Sequence, residues 1–273
     1  MKPANFDYLR PASLAEAAQI LSASTDAMPV AGGQSLIPLM NLRMATCGQL
    51  VDLGHMADLR QCQESATHVV IGAGVTHAMI EDGQVPDPSQ GMMRKAARHI
   101  AYRAVRCHGT IGGSVAMADP AADWPCILLA LNATVVIAHK AGERRLAMDA
   151  FLKGTYETAL ASGDIIKAFE IPKLATTART ATSKVNRKTG AFADALCAVV
   201  QDGASSRICV AAVGTRAQIL KSASQALASN ATEQDINRAI AIDIAALLPR
   251  ADAYLQHLHT TNACRAVAEV LRS

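Results

Sequence analysis

The chain has 273 residues and a mass of 28.6 kDa, a length that carries one large domain or two modest ones. With 51% hydrophobic and only 18% charged residues it holds ample material for a buried core, which excludes an intrinsically disordered chain. A net charge of +3 and only four Phe, four Tyr and one Trp leave neither a basic face for a phosphate backbone nor a base-stacking platform, so no nucleic-acid partner is expected.

The first element in chain order is a helix opened by the capping box Ser13-Leu14-Ala15-Glu16, with Leu14, Ala17, Ala18 and Leu21 on one face and an end near Ser24. A short apolar strand over 28–31 runs into Gly32-Gly33-Gln34-Ser35 and then a helical turn over 36–43. Further strands are predicted over 50–53 and 68–71, and a basic helix within 88–100 turns Arg94, Lys95 and Arg98 to solvent. A second glycine turn, Thr110-Ile111-Gly112-Gly113-Ser114, precedes Asp119-Pro120-Ala121-Ala122-Asp123 and an apolar helix through Leu131. Strands follow over 134–139 and 164–171, and the small polar stretch 173–182 is the expected linker, with a boundary near 175. Beyond it, runs over 195–201 and 207–213 joined by Asp202-Gly203 predict a β-hairpin, and helices over 217–228, 233–248 and 261–272 close the chain. The order of elements predicts mixed α+β in two domains.

The seven cysteines form no Cys-x-x-Cys pair, and no histidine cluster has metal-ligand spacing, so no metal site is expected. The N-terminal residues lack an apolar signal core, and no run approaches the roughly 18–20 apolar residues of a membrane span. A cytoplasmic protein without a membrane span is the expectation.

The two double-glycine turns carry the most chemistry. Without a Cβ, consecutive peptide N–H groups can approach an anion closely and adopt the positive φ of a phosphate nest, and Gln34, Ser35, Thr110 and Ser114 add neutral donors. Together they are suited to clasp the diphosphate of a dinucleotide from both sides, although each alone is equally a tight turn. Neither is Gly-x-Gly-x-x-Gly or a P-loop, so a site here is not of the Rossmann kind. Asp119 and Asp123 fall four apart, either as helix-start carboxylates or as acceptors for cofactor hydrogens. His108 abuts the second glycine turn, and the basic segment 184–192 follows the expected linker, where clefts between domains bind cofactors. No nucleophile elbow or cysteine–histidine arrangement singles out a catalytic residue.

These motifs, Ala31-Gly32-Gly33-Gln34-Ser35-Leu36-Ile37-Pro38-Leu39-Met40 with Leu42-Arg43, and Gly109-Thr110-Ile111-Gly112-Gly113-Ser114 through Asp123, closely resemble the FAD-binding medium subunit of molybdenum hydroxylases. That is the family of carbon monoxide dehydrogenase, quinoline and nicotine dehydrogenases and xanthine dehydrogenase, and the likeness covers essentially the whole chain. The resemblance implies an α+β fold: a two-lobed FAD domain of the vanillyl-alcohol oxidase (PCMH) type over residues 1–175, with a small lobe to about 54 and a larger one from about 55, then a smaller C-terminal α+β domain over 176–273. It implies FAD with its diphosphate on both glycine turns, held by Val30, Ala31, Gly32, Gly33, Gln34, Ser35, Leu36, Thr110, Ile111, Gly112, Gly113 and Ser114. It further places Asp123 toward the ribityl or flavin end, a backbone position near Ile165 or Ile166 at the adenine side and Lys184 near the flavin from the second domain, with Asp119 also among the cofactor-binding residues.

The implied role is electron transfer. A small iron–sulfur subunit would deliver electrons from a large molybdopterin subunit that hydroxylates a small substrate such as an N-heterocycle, and the flavin would pass them to a terminal acceptor. A self-contained flavin oxidase and a nucleotide-binding module without turnover are the alternatives, the former lacking a convincing base. Ser114, Ala191 and Cys107 depart from the family's usual Asn, acidic residue and Asn. Valine at Gly33 or at Gly113 is expected to abolish FAD retention, and Ser114→Ala to weaken it modestly.

Overall fold

The computed structural model describes residues 2–272. Its first sheet has three parallel strands, with Gln49–Asp52 between Asp7–Leu9 and Ala27–Val30. Ala27–Val30 is an edge strand, which is where Pro29, lacking an N–H, costs no ladder bond. Helix Leu14–Ala23 begins at Ser13, whose hydroxyl accepts the Glu16 N–H, and it buries Ala17, Ala18 and Leu21 as the spacing predicts. The turn after the first glycines is the helix Leu36–Asn41.

A five-stranded antiparallel sheet follows, in the order Cys62–Glu64, His68–Gly72, Ile165–Pro172, Thr134–His139, Gly142–Ala147. Its central strand arrives from far along the sequence and is bulged between Ile166 and Ala168. The predicted basic helix is Met92–Arg98, with Met92, Met93, Ala96 and Ala97 inward and Arg94, Lys95 and Arg98 outward.

The third sheet orders Arg179–Val185, Ala195–Gln201, Arg207–Ala211 and Gln218–Ile219, all antiparallel. The expected linker is therefore irregular only to Ala178: from Arg179 it pairs residue for residue with Ala195–Gln201. Its polar Thr and Ser side chains suit a half-exposed edge strand, which composition alone does not separate from a loop. Three helices complete the chain, Lys221–Ala228, Glu233–Leu247 and Ala253–Arg272. The last begins eight residues before the predicted 261, with Asp252 accepting the Leu255 N–H. Its first turns expose Tyr254 and Leu255, so no apolar stripe announces them.

One element joins these layers. Helix Asp123–Ala130 is buried at every residue, and it packs on Ala195–Gln201 and Arg207–Ala211. A helix apolar all round needs neighbours on all sides. The third sheet accordingly has two apolar faces: Leu196, Ala198, Val200 and Cys209 join the core around that helix, while Cys197, Val199, Ile208 and Val210 join the core of the C-terminal helices.

Candidate functional site

The first glycine segment leaves the edge strand Ala27–Val30 at Ala31 and enters helix Leu36–Asn41. Gly33 has φ +69°, the left-handed conformation that an L side chain adopts only at a cost. With that bend, the peptide N–H groups of Gly32, Gly33, Gln34, Ser35 and Leu36 donate to no described residue. Five consecutive unpaired donors around a left-handed glycine are the elements an anion nest needs. Gln34 Nε2 folds back on the Gly32 carbonyl at 2.9 Å, so the side chain closes the loop rather than the nest.

The second segment is built differently. Thr110 is the N-cap of helix Ile111–Met117, so Gly112 and Gly113 lie in a helical first turn and neither has positive φ. Their amides are spent: Ile111 N–H donates to Val75 O (3.0 Å), Gly112 N–H to Ala73 O (2.9 Å), Gly113 N–H to Thr110 Oγ1 (3.0 Å) and Ser114 N–H to Thr110 O (3.0 Å). The expectation of a matching nest here is corrected by this bonding. What the segment offers outward is the half-buried Ser114 and the bare surface of exposed Gly113, while Thr110 is buried with its Oγ1 on the Gly113 N–H. Gly112 has a packing reason, since a β-carbon there would lie 2.5 Å from that of Ala73.

The two segments touch, although almost eighty residues separate them. A β-carbon on Gly32 would overlap the His108 carbonyl oxygen, so the close approach of the two backbones requires glycine at this position. His108 and Cys107 are exposed beside this contact.

Behind the second segment stands His77, which sequence reasoning left among scattered histidines. Its Nδ1 accepts the Trp124 indole N–H at 2.9 Å, its backbone N–H donates to the Gly109 carbonyl at 3.0 Å, and a β-carbon on Gly109 would lie 2.7 Å from its Nε2. Burial first, and then the Arg106 charge, push this imidazole from its ordinary 6.5 down to about 4, so it is neutral, as an Nδ1 acceptor must be.

Asp119 and Asp123 do not share a helix face, because the helix begins at Asp123. Asp119 instead closes a turn, with Oδ1 accepting the Ala121 N–H (2.8 Å) and Oδ2 the Tyr156 hydroxyl (3.1 Å). Asp123 is buried in an ion pair with Lys184 at 2.9 Å, and Lys184 Nζ also donates to His99 O at 3.3 Å. Burial pushes the Asp123 carboxyl up, and the Lys184 ammonium offsets only part of that shift. Lys184 is the penultimate residue of the strand Arg179–Val185, so this pair ties the third sheet to the helix Asp123–Ala130. The chain after it lies against residue 101, for a β-carbon on Gly190 would come 2.6 Å from the Ala101 carbonyl oxygen.

Ile166 is buried in the central strand, just before the bulge. The next carbonyl, that of Lys167, accepts the Ala73 N–H, and Ala73 is the residue beneath Gly112. Val30 and Ala31 lead into the free amides as strand end and turn, and Leu36 closes them as helix start.

Against known proteins, residues 4–174 match the family model described as the FAD binding domain in molybdopterin dehydrogenase. The chain is 38% identical over 208 residues to the nicotine 6-hydroxylase medium subunit of Paenarthrobacter nicotinovorans, covering 76% of this chain and 73% of that protein. It is 37% identical over 215 residues to the carbon monoxide dehydrogenase medium chain of Afipia carboxidovorans, covering 78% and 75%. Among solved structures, carbon monoxide dehydrogenase from Hydrogenophaga pseudoflava superposes with a TM-score of 0.92 at 32% identity over 100% of this chain and 99% of that one. Quinoline 2-oxidoreductase from Pseudomonas putida 86 gives 0.88 at 32%, again over 100% and 99%. The likeness thus extends through the C-terminal sheet and helices as well as the glycine segments, and the chain belongs to the family of FAD-binding medium subunits of the molybdenum hydroxylases.

Proposed function

We propose that the chain carries FAD as the electron-transfer subunit of a heteromeric molybdenum hydroxylase, with the cofactor's diphosphate on the nest at residues 32–36. The run of five unpaired amides beside the second glycine segment carries this reading. The residues fit the group: an anion satisfies donors that otherwise find no protein partner, and the Gly32 contact with His108 and Gly109 brings the start of the second glycine segment close to them. The second segment contributes hydroxyls and room in place of amides.

Bound FAD supplies the redox chemistry, accepting electrons from iron–sulfur centres and releasing them to a terminal acceptor. This chain's residues bind and orient. Gly113 leaves space over the helix start, Asp123 and Lys184 fix the flavin end where the two domains meet, and the backbone beside Ile166 borders the adenine side. Within the division proposed, residues 1–175 form the FAD domain, with lobes meeting near 54, and 176–273 cover it. The family match ending at 174 and the separate core of the C-terminal helices support that division.

The partners are a small iron–sulfur subunit and a large molybdopterin subunit that oxidises a small molecule such as an N-heterocycle. The relatives named above are the medium subunit of a nicotine 6-hydroxylase and the medium chain of a carbon monoxide dehydrogenase, which supports this reading. No helix among the described residues is long and apolar enough to cross a membrane, and the seven cysteines are free thiols, which supports a cytoplasmic location.

The test is FAD addition to the purified chain, desalting, and acid precipitation. Flavin absorption that survives desalting and then moves to the supernatant is expected. Colour held in the pellet would return the self-contained oxidase, with covalent flavin, as the better reading. A chain that keeps no flavin even when assembled with its partner subunits would overturn the flavin assignment.

A further inference from the structure

Tyr156 is an exposed aromatic residue in an unfavourable backbone conformation. Its φ is +57°, left-handed, and 58% of the residue is open to solvent, so burial of the ring does not compensate the strain. Two hydrogen bonds hold it there, and both go to consecutive residues: the Tyr156 N–H donates to Ala118 O at 3.1 Å, and the Tyr156 hydroxyl donates to Asp119 Oδ2 at 3.1 Å. Strain of this kind persists where the surroundings over-determine it, and it concentrates at functional positions.

One of the two residues it grips is strained in turn, and so is a neighbour of the same turn. Ala118, which caps the end of the second glycine helix, has φ +50°. Pro120 O accepts the N–H of Ala212 at 2.8 Å, and Ala212 has φ +63°. Three of the eight left-handed non-glycine residues among those described therefore meet at the single turn 118–122. That turn is the only chain between the helix carrying Gly112 and Gly113 and the buried Asp123. Its placement sets the spacing between the proposed diphosphate end and the proposed flavin end of the site.

We propose that Tyr156 is a positioning residue for the flavin, acting through the Asp119 carboxylate to fix the turn that joins the second glycine helix to Asp123. The proposal rests on the reading of the site given above. Asp119 is thereby a fastening for the cofactor's support, since one oxygen serves Ala121 and the other Tyr156.

The experiment is FAD titration of the full chain and of Tyr156→Phe, followed by flavin fluorescence and visible absorption, with the thermal midpoint of each flavin-free protein measured beside it. Tyr156→Phe keeps the ring and the backbone bond and removes one hydrogen bond to a charged group, so FAD is expected to bind about tenfold more weakly, with altered visible absorption. In an Asp119→Ala background the same substitution is expected to change affinity by less than about twofold, because the route is already cut. A Tyr156→Phe protein that binds FAD like the parent and loses only thermal stability would leave Tyr156 as a fastener of the fold and overturn the proposal. Equal losses in both backgrounds would overturn the route through Asp119. If the parent takes up no FAD even when assembled with its partner subunits, the flavin reading fails first and this one with it.

Discussion

The first glycine segment is bent by a left-handed Gly33 and keeps five amides unpaired, whereas the second is the opening turn of a helix whose first four amides are all taken by Val75, Ala73 and Thr110. Both read Gly-Gly followed shortly by serine, yet only one keeps the free amides a nest needs. The difference comes from what precedes each pair. Ala31 leaves an edge strand with no further partner, while Thr110 brings a capping hydroxyl and sits beside residues 73–75, whose carbonyls are free to accept. A glycine pair thus has one meaning when its amides face outward and another when its missing side chains let elements pack.

That distinction separates two substitutions that the sequence treats alike. Gly32→Ala drives a β-carbon into the His108 carbonyl and is expected to abolish FAD retention by parting the two segments. Gly113→Ala meets only the Thr110 hydroxyl, at 2.9 Å, and is expected to weaken FAD by no more than about tenfold. The equal effect expected from valine at Gly33 and Gly113 gives way to the same ranking, because Gly33 alone is left-handed and a β-carbon there would lie 2.9 Å from Ile37 Cγ1. Retention of FAD after desalting reads the order directly, and equal losses at Gly32 and Gly113 would erase the asymmetry.

The second segment's side of the site is also where the fold is fastened, and the Asp123–Lys184 pair tests that. Its side chains are 7% and 9% exposed, so Lys184→Met strands a buried carboxylate and is expected to cost about 3–5 kcal/mol in denaturant unfolding. Adding Asp123→Asn removes the stranded charge and is expected to restore most of that loss. A single variant as stable as the parent would mean that water already reaches the pair.

How much of this was legible follows from the range of each interaction. The capping box at Ser13, the strand leading into Gly32 and the apolar helix from Asp123 are local patterns, and they form where the spacing places them. The motif order also identifies the family, which the comparisons bear out. Asp119 was legible as a carboxylate near a helix start, but its partner Tyr156 lies thirty-seven residues on, and no local pattern announces it. His77 was passed over for the same reason: its Trp124 partner is forty-seven residues away, and only the fold shows that Gly109 lacks a side chain because an imidazole stands there. The 179–185 strand was missed because edge strands tolerate the polar residues that also make loops.

The smallest effect divides the two segments most sharply. Thr110→Ala removes the N-cap and is expected to cost about 1 kcal/mol of stability, and it frees the Gly113 N–H that Thr110 Oγ1 now occupies. If the second segment serves the diphosphate through its hydroxyls, FAD should weaken severalfold, and Thr110→Ser, which keeps the hydroxyl, should bind like the parent. If its amides serve as those of the first segment do, the freed Gly113 N–H replaces the lost donor and affinity holds although stability falls. Measuring the FAD dissociation constant beside the unfolding midpoint separates the two, because the cap contributes to both while the amide can compensate only the first. Unchanged affinity in Thr110→Ala would make the second segment a nest held shut by its own cap.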